Sequence, residues 1–427
     1  MATTIRTVYL SKDIGKPGWP NKDFDPNERA NQLERRLGSL QDRLDFEVSS
    51  TGAHIVTDAT DVAHLKETIS EDDDGLLLFI LASGAQPHLN EIVDIGLPTV
   101  SFIDLFGYFV LSVPDNVIGI SSSDFTEIAS ALKAVDTVRR LSASKIVCVS
   151  DRKDVSSYRK QARDQFGVEI EQVGHEPLLS AYEQADERQA EEIAAEYITN
   201  AEKVVEPTRQ DVVDAAKIYL GIRELMVDAE ANVITVDCLP LTYAGTLPAF
   251  PCLAFSRLND EGLVGVCEAD LAATLTQMLV GYLADRPGFV SDPVIDTSTN
   301  TIIHSHCVAA TKMGGMDSYP EPYILRSHAE DDESVSLQVK MRAGEQVTHA
   351  KLADFDTMVV ARGKTAGNVD IDKGCRTKVR MVVDDARKLY DKYRGGLHRV
   401  MFYGDLVRQV EDLGTLLGFD VVDECQG

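Results

Sequence analysis

The chain has 427 residues, too many for one ordinary hydrophobic core, so a division into about two or three domains is expected. Its composition, 44% hydrophobic and 26% charged, is that of a globular protein, and no apolar run of about 18 residues offers a membrane span. The 69 acidic against 42 basic residues leave a net charge of −27, which argues against a nucleic-acid backbone as partner and fits a salt-adapted or simply very soluble protein. The opening MATTIRTVYLSKD runs straight into a strand pattern without the layout of a secretory leader. The seven cysteines, none in a Cys-x-x-Cys pair, read as reduced thiols in a cytoplasmic setting and not as a zinc–thiolate site.

Short runs rich in Val, Ile, Leu and Phe alternate with helical patterns through the first half. Strands are expected at Ile5–Leu10, Leu76–Ala82, Thr99–Asp104, Val117–Ser121 and Lys145–Ser150. Helices are expected at Asn27–Leu44, Asp124–Leu141 and Ser156–Phe166. Continuous apolar strands between helices imply open α/β layers around parallel sheets. A strand run ends near Leu111, and Pro114-Asp115-Asn116 reads as the crossing into a second unit. Helices follow at Glu183–Thr199 and Asp211–Val227, then a strand at Val233–Leu239.

The last third changes character. Tyr323–His328, Ser334–Met341, Val347–Ala353 and Met358–Arg362 read as antiparallel strands separated by polar turns. A helix over Val382–Tyr393, a strand over Val400–Tyr403 and a final amphipathic helix over Leu406–Leu417 complete the pattern. Gly363-Lys364-Thr365 imitates the end of a phosphate-binding loop, but Met358 stands where that motif needs glycine, so nucleotide binding is not expected there.

The chemistry concentrates between Pro251 and Asp296. Glu268 closes the apolar strand Leu263–Cys267 just before an amphipathic helix, and Asp292 lies in the next strand, Phe289–Ile295. Two carboxylates at the ends of neighbouring elements can share a metal or a proton-transfer task. Equally, Glu268 can serve a helix dipole and Asp292, before Pro293, a turn. Because both flank strongly apolar strands, an idle carboxylate at either position would be costly. His304, His306 and Cys307 form a short cluster. His398 follows Gly395-Gly396-Leu397, where a ligand can approach closely or where the imidazole can serve the fold.

Cys267-Glu268-Ala269-Asp270-Leu271, then Asp292, Asn300, His306-Cys307, and His398 with Tyr403-Gly404-Asp405, together resemble the L-fucose isomerase family and, more loosely, the L-arabinose isomerases. The resemblance covers Pro251 to the end, whereas the N-terminal half matches in architecture only. It implies two open α/β, Rossmann-like N-terminal domains and a C-terminal domain rich in antiparallel β structure. On this chain those fall at 1–112, 113–285 and 286–427. It implies a divalent metal, Mn²⁺ first with Mg²⁺ or Co²⁺ as substitutes, held by Glu268, Asp292 and His398.

The implied reaction is aldose–ketose isomerisation of a free monosaccharide through an enediolate. Glu268 and Asp292 would act as acid and base, and a cation would supply Lewis-acid support. Asn300, His306 and Lys312 are candidates for sugar contacts, Arg326 and His328 weaker ones, and Trp19 a candidate platform for a sugar face. The family implies a homo-oligomer, a hexamer. The chain is shorter than typical L-fucose isomerases, mainly in its N-terminal half, which leaves the sugar open: an ordinary hexose or pentose, or a modified hexose such as sulfoquinovose. A non-catalytic sugar-binding protein on the same layers is the reading from another class, and the metal triad argues against it.

Overall fold

The computed structural model describes residues 2–41, 44, 48–103, 112–371 and 373–426. The chain forms two compact units, Met1–Arg140 with Glu411–Gly418, and Leu141–Val410 with Phe419–Gly427. The first is a five-stranded parallel sheet. Its elements in chain order are β1 (Thr3–Leu10), α1 (Pro26–Gly38), β2 (Val48–Val56), α2 (Ala59–Thr68), β3 (Gly75–Ile80), α3 (Gln86–Val93), β4 (Thr99–Ile103), β5 (Val117–Ser121) and α4 (Glu127–Ser142). The strand order is β2-β1-β3-β4-β5, the doubly wound order of open α/β sheets. Val8, Leu10, Leu76, Leu78 and Ile80 bury one face against Leu89 and Ile92 of α3.

The division expected at 112/113 differs from what is seen. Val117–Ser121 pairs with Thr99–Ile103 in full parallel register, so β5 completes the first sheet, and the first unit runs to Arg140. Pro114 starts the turn into β5, not a new unit. Helix α1 ends at Gly38, earlier than the expected Leu44, and β2 follows it. The expected strand end at Asp104 and the expected end of a strand run near Leu111 lie outside the described residues.

The second unit begins with β6 (Lys145–Val149), α5 (Ser156–Phe166), β7 (Glu169–Val173), α6 (Glu176–Gln184), α7 (Glu187–Asn200), β8 (Lys203–Val204), α8 (Arg209–Asp228), β9 (Val233–Val236), α9 (Cys238–Tyr243), α10 (Cys252–Asp260), β10 (Val264–Cys267) and α11 (Leu271–Ala284). Strands β10-β9-β6-β7 make a second parallel sheet. The chain then continues through β11 (Phe289–Asp296), β12 (Thr301–His306), β13 (Tyr323–Arg326), β14 (Ser336–Val339), β15 (Gln346–Asp354), β16 (Thr357–Asn368), β17 (Thr377–Val383), α12 (Ala386–Lys392), β18 (Arg399–Tyr403), α13 (Val407–Leu417) and β19 (Asp420–Asp423).

The sheet order β15-β18-β11-β12-β17-β16-β19 closes on itself through β15–β16, giving a barrel-like body that is antiparallel except for the parallel pair β16–β19. A fourth, small sheet runs β14-β13-β8. The expected change from parallel to antiparallel pairing occurs between α11 and β11, but both sheets belong to one compact unit. Residues of α8, β11, β12 and β17, among them Val212, Phe289, Ile302 and Val379, share one buried core. Val382 and Val383, expected to begin a helix, end strand β17, whose alternation of buried and half-buried or exposed residues is that of a sheet with one solvated face. Gly363-Lys364-Thr365 lies inside β16.

One buried ion pair underpins the entry of β18. Arg399 is fully buried, and its guanidinium donates to both carboxylate oxygens of Glu424 (2.8 and 3.2 Å) and to the carbonyls of Arg394, Gly396 and His398. Replacing it with an apolar side chain leaves the buried Glu424 facing only His349 Nε2, at 3.3 Å. The expected cost of Arg399→Met is about 3–5 kcal/mol, read as a lowered urea midpoint, and an unchanged midpoint would show that this pair does not hold the strand.

Candidate metal and sugar site

Glu268 leaves the carboxyl end of β10, the position at which open parallel sheets present ligand-binding groups. Its backbone is unusual: Glu268 (φ 62°) and Ala269 (φ 46°) are consecutive left-handed residues without being glycine. The next residue, Asp270, caps α11 by accepting the Ala273 N–H (2.8 Å). Three residues therefore turn a buried strand into a buried helix, and the turn projects two carboxylates.

The barrel-like sheet supplies the facing groups. Asp292 pairs with Ser305 across β11–β12, His306 ends β12, and His398 precedes β18, which pairs with the start of β11. His398 Nε2 lies 3.7 Å from Glu268 Oε1 and 3.5 Å from Asp292 Oδ1, while His306 Nε2 lies 3.5 Å from Glu268 Oε1. The structure thus brings together Glu268, Asp292, His306 and His398. Ligand atoms of Cys267, Glu268, His306 and His398 fall within 4.8 Å of one another.

The hydrogen bonds on the far side of each ring separate the two imidazoles. His398 Nδ1 faces Asp270 Oδ2 at 2.8 Å, an arrangement that places the proton on Nδ1 and aims the Nε2 lone pair at the carboxylates. The Asp270 carboxylate is held in turn by the ammonium of Lys351 (3.1 and 3.4 Å), whose side chain is 1% exposed. His306 is arranged oppositely. Its Nδ1 accepts the Cys307 N–H (2.8 Å), so the proton of the neutral ring sits on Nε2 and points at Glu268. The two rings thus turn different groups toward Glu268: His398, when neutral, an Nε2 lone pair, and His306 an Nε2–H.

A cation fits this arrangement. His398 Nε2 and Asp292 Oδ1 are buried atoms that have no hydrogen-bond partner among the described residues, although they are only 3.5 Å apart. Asp292 Oδ1, Glu268 Oε1 and, once it gives up its proton, His398 Nε2 converge as the donor set of a divalent ion with oxygen and imidazole ligands. Burial pushes the Cys267 thiol well above its ordinary range, which keeps it protonated and a poor ligand. Hydrogen bonds from His306 and His398 hold Glu268 well below the usual carboxylate range in spite of its burial. Burial alone would lower His398, but Asp270 and Glu268 carry it up to about 9. Asp270 is held low against its own burial by His398 and Lys351.

Beside the cluster lies a cleft of about 500 Å³, lined among others by Lys153, Tyr158, Glu268, Asp270, Leu397 and His398. That volume falls in the range of small-molecule sites.

The other expected contact residues are placed elsewhere. Asn300 sits in the β11–β12 turn (φ 52°), where its side chain accepts the Ala386 N–H at the start of α12, a fold-building role. Lys312 follows β12, and its backbone N–H donates to Asp260 (2.7 Å). Trp19 belongs to the first unit, in the loop after β1, with a cis bond to Pro20 and a carbonyl that accepts the Ser83 N–H. Arg326 is paired with Glu206, and His328 stacks on Phe250. His304 is fully buried and bonds Ser291. Asp270 stood in the quoted motif without a role assigned to it, and Lys351 escaped the sequence reading. Their signals were an N-cap position and a lone cation in a buried strand.

Comparison with known proteins places this half of the chain beside sugar isomerases. Residues 146–285, which carry Glu268 and Asp270, match the model of the L-arabinose isomerase central domain. The sulfoquinovose isomerases of Priestia aryabhattai and Priestia megaterium are each 24% identical over 237 residues, 52% of this chain and 51% of theirs. That of Alkalicoccus urumqiensis is 20% identical over 313 residues, 69% of this chain and 68% of its own. The matched region thus spans about half the length of the first two relatives. The likeness is to sugar isomerases as a group and does not single out L-fucose isomerase.

Proton linkage follows from the site. His398 must be neutral to bind a cation, yet it stays protonated up to about pH 9 in the metal-free protein. Mn²⁺ affinity measured calorimetrically should rise by about tenfold per pH unit between pH 7 and 8.5 with one proton released. A pH-independent affinity would contradict His398 as a ligand. Asp270→Asn should weaken Mn²⁺ binding by about 10–100-fold.

Proposed function

We propose that this chain is a metal-dependent aldose–ketose isomerase acting on a free monosaccharide. The observation that carries the reading is the convergence of Glu268, Asp292 and His398, with the buried Asp292 Oδ1 and His398 Nε2 lacking a hydrogen-bond partner among the described residues. Support comes from the sugar-isomerase likeness of the region that holds Glu268. Glu268, Asp292 and His398 would hold the ion, Mn²⁺ first, which when bound would supply Lewis-acid polarisation of the sugar oxygens.

The residues then divide the work. Isomerisation moves one proton between C1 and C2 and one between O1 and O2, through an enediolate. Glu268 and Asp292 are the carboxylates available to take and return the carbon-bound proton, and hydrogen bonds from His306 and His398 keep Glu268 ionised. His306, with its Nε2–H toward Glu268, is placed to donate to that carboxylate or to a sugar oxygen beside it. Asp270 and Lys351 keep His398 in the tautomer that leaves Nε2 unprotonated. Tyr158 supplies an aromatic face in the cleft, the platform sought at Trp19.

The substrate belongs to the fucose/arabinose type or is a modified hexose; the names of the relatives favour testing sulfoquinovose beside the ordinary sugars. A homo-oligomer, a hexamer by the L-fucose isomerase resemblance, and a cytoplasmic location are parts of the same proposal. A purely sugar-binding role is disfavoured, because a binder needs no carboxylate–imidazole triad.

The test is conversion of L-fucose, D-arabinose, L-arabinose, L-rhamnose, D-lyxose and sulfoquinovose by metal-stripped protein with and without Mn²⁺. Turnover of at least one sugar that depends on Mn²⁺ is expected, and Glu268→Gln or Asp292→Asn should lower kcat by about 10²–10⁴-fold. Full activity in Glu268→Gln would remove the assigned roles.

A further inference from the structure

The left-handed pair Glu268–Ala269 needs an agent to hold it. Glycine, which enters that region without penalty, is present at neither position, and side chains on a turn of this kind favour relaxing to an extended or right-handed backbone. Some of the restraint is local: the Ala269 N–H donates to the Val236 carbonyl of β9 (3.0 Å), and the Asp270 N–H reaches the Cys267 carbonyl (3.4 Å). The two carbonyls of the left-handed residues themselves remain to be satisfied. Both are taken by one side chain from the loop after β6. The Lys153 ammonium donates to the Glu268 carbonyl (2.5 Å) and to the Ala269 carbonyl (3.1 Å).

Lys153 is itself tied down. It lies in the loop after β6, where its N–H donates to Ser150 Oγ (3.2 Å) and its carbonyl accepts from Gln172 Nε2 (2.5 Å) of β7. Ser150 Oγ in turn bonds Asp237 at the end of β9 (3.0 Å). The carboxyl ends of three parallel strands are therefore linked to one ammonium, and that ammonium grips the turn from which Glu268 projects. It also lines the cleft. A charged donor shared between two carbonyls is stronger than a neutral one and tolerates little displacement of either.

We propose that Lys153 is a positioning residue: its ammonium clamps the Glu268 and Ala269 carbonyls and so sets the direction of the Glu268 carboxylate toward His398 and Asp292. The inference rests on Glu268 being a metal-binding group, and it assigns Lys153 no contact with substrate.

Three full-length variants test it: Lys153→Met, which keeps the stem and loses the donors; Lys153→Arg, which keeps donors; and Ala269→Gly in the Lys153→Met background, which removes the left-handed penalty at one residue. Two readouts are taken, Mn²⁺ affinity by calorimetry and hydrogen–deuterium exchange of the segment 266–270 in metal-free protein. Lys153→Met should bind Mn²⁺ at least about tenfold more weakly and exchange faster in that segment. Lys153→Arg should lie between it and the parent, and adding Ala269→Gly should recover affinity. Parent-like affinity and exchange in Lys153→Met would overturn the clamp. Failure of the parent protein itself to bind Mn²⁺ would overturn the metal reading of Glu268 and, with it, the role assigned to Lys153, whereas the exchange data report on the clamp alone.

Discussion

The contact between the Asp270 carboxylate and His398 Nδ1 is the constraint on which the rest of the site depends. It fixes which imidazole nitrogen is free, and so decides whether the space between Glu268, Asp292 and His398 attracts a cation or merely stores a proton. The same carboxylate caps α11, so the helix cannot shift without moving the histidine's partner. Lys351, nearly inaccessible on β15, supplies the positive charge that makes it tolerable to bury this acid. One residue thereby couples the parallel sheet, through the end of β10, to the barrel-like sheet, through β15 and the entry to β18.

Charge balance explains why the cluster is stable without an ion and still suited to one. In the metal-free state the protonated His398 offsets Glu268 and Asp270, which is why its proton affinity is raised and theirs depressed. A divalent ion held there would replace that proton with a larger charge, and Asp292 Oδ1, a buried atom without a hydrogen-bond partner among the described residues, would gain one.

Much of this was legible in the sequence, and the failures have physical causes. Glu268, Asp292 and His398 stood out because each is a lone ionisable residue beside an apolar strand, where an unused charge is costly. The parallel strands β1, β3, β4, β6 and β9 were visible as continuous apolar runs, a pattern that both-face burial demands. Strands β2, β7 and β17 carry more polar residues and were missed, and the start of α12 was drawn into β17 because Val382 and Val383 suit either period. Asn300 looked like a sugar contact by its position in the motif, but its left-handed backbone and its bond to Ala386 show a turn residue. Asp270, Lys153 and Lys351 act through partners distant in sequence, from 81 to 128 residues away, and no local pattern encodes such pairings.

The most direct measurement is the anomalous difference map, at the manganese edge, of crystals grown with Mn²⁺. A single strong peak about 2 Å from Glu268, Asp292 and His398 Nε2, with His306 Nε2 hydrogen-bonded and not coordinated, is the result this account predicts. A peak confined to the exposed group Asp151, His175 and Glu176, or a map with no peak beside His398, would contradict it.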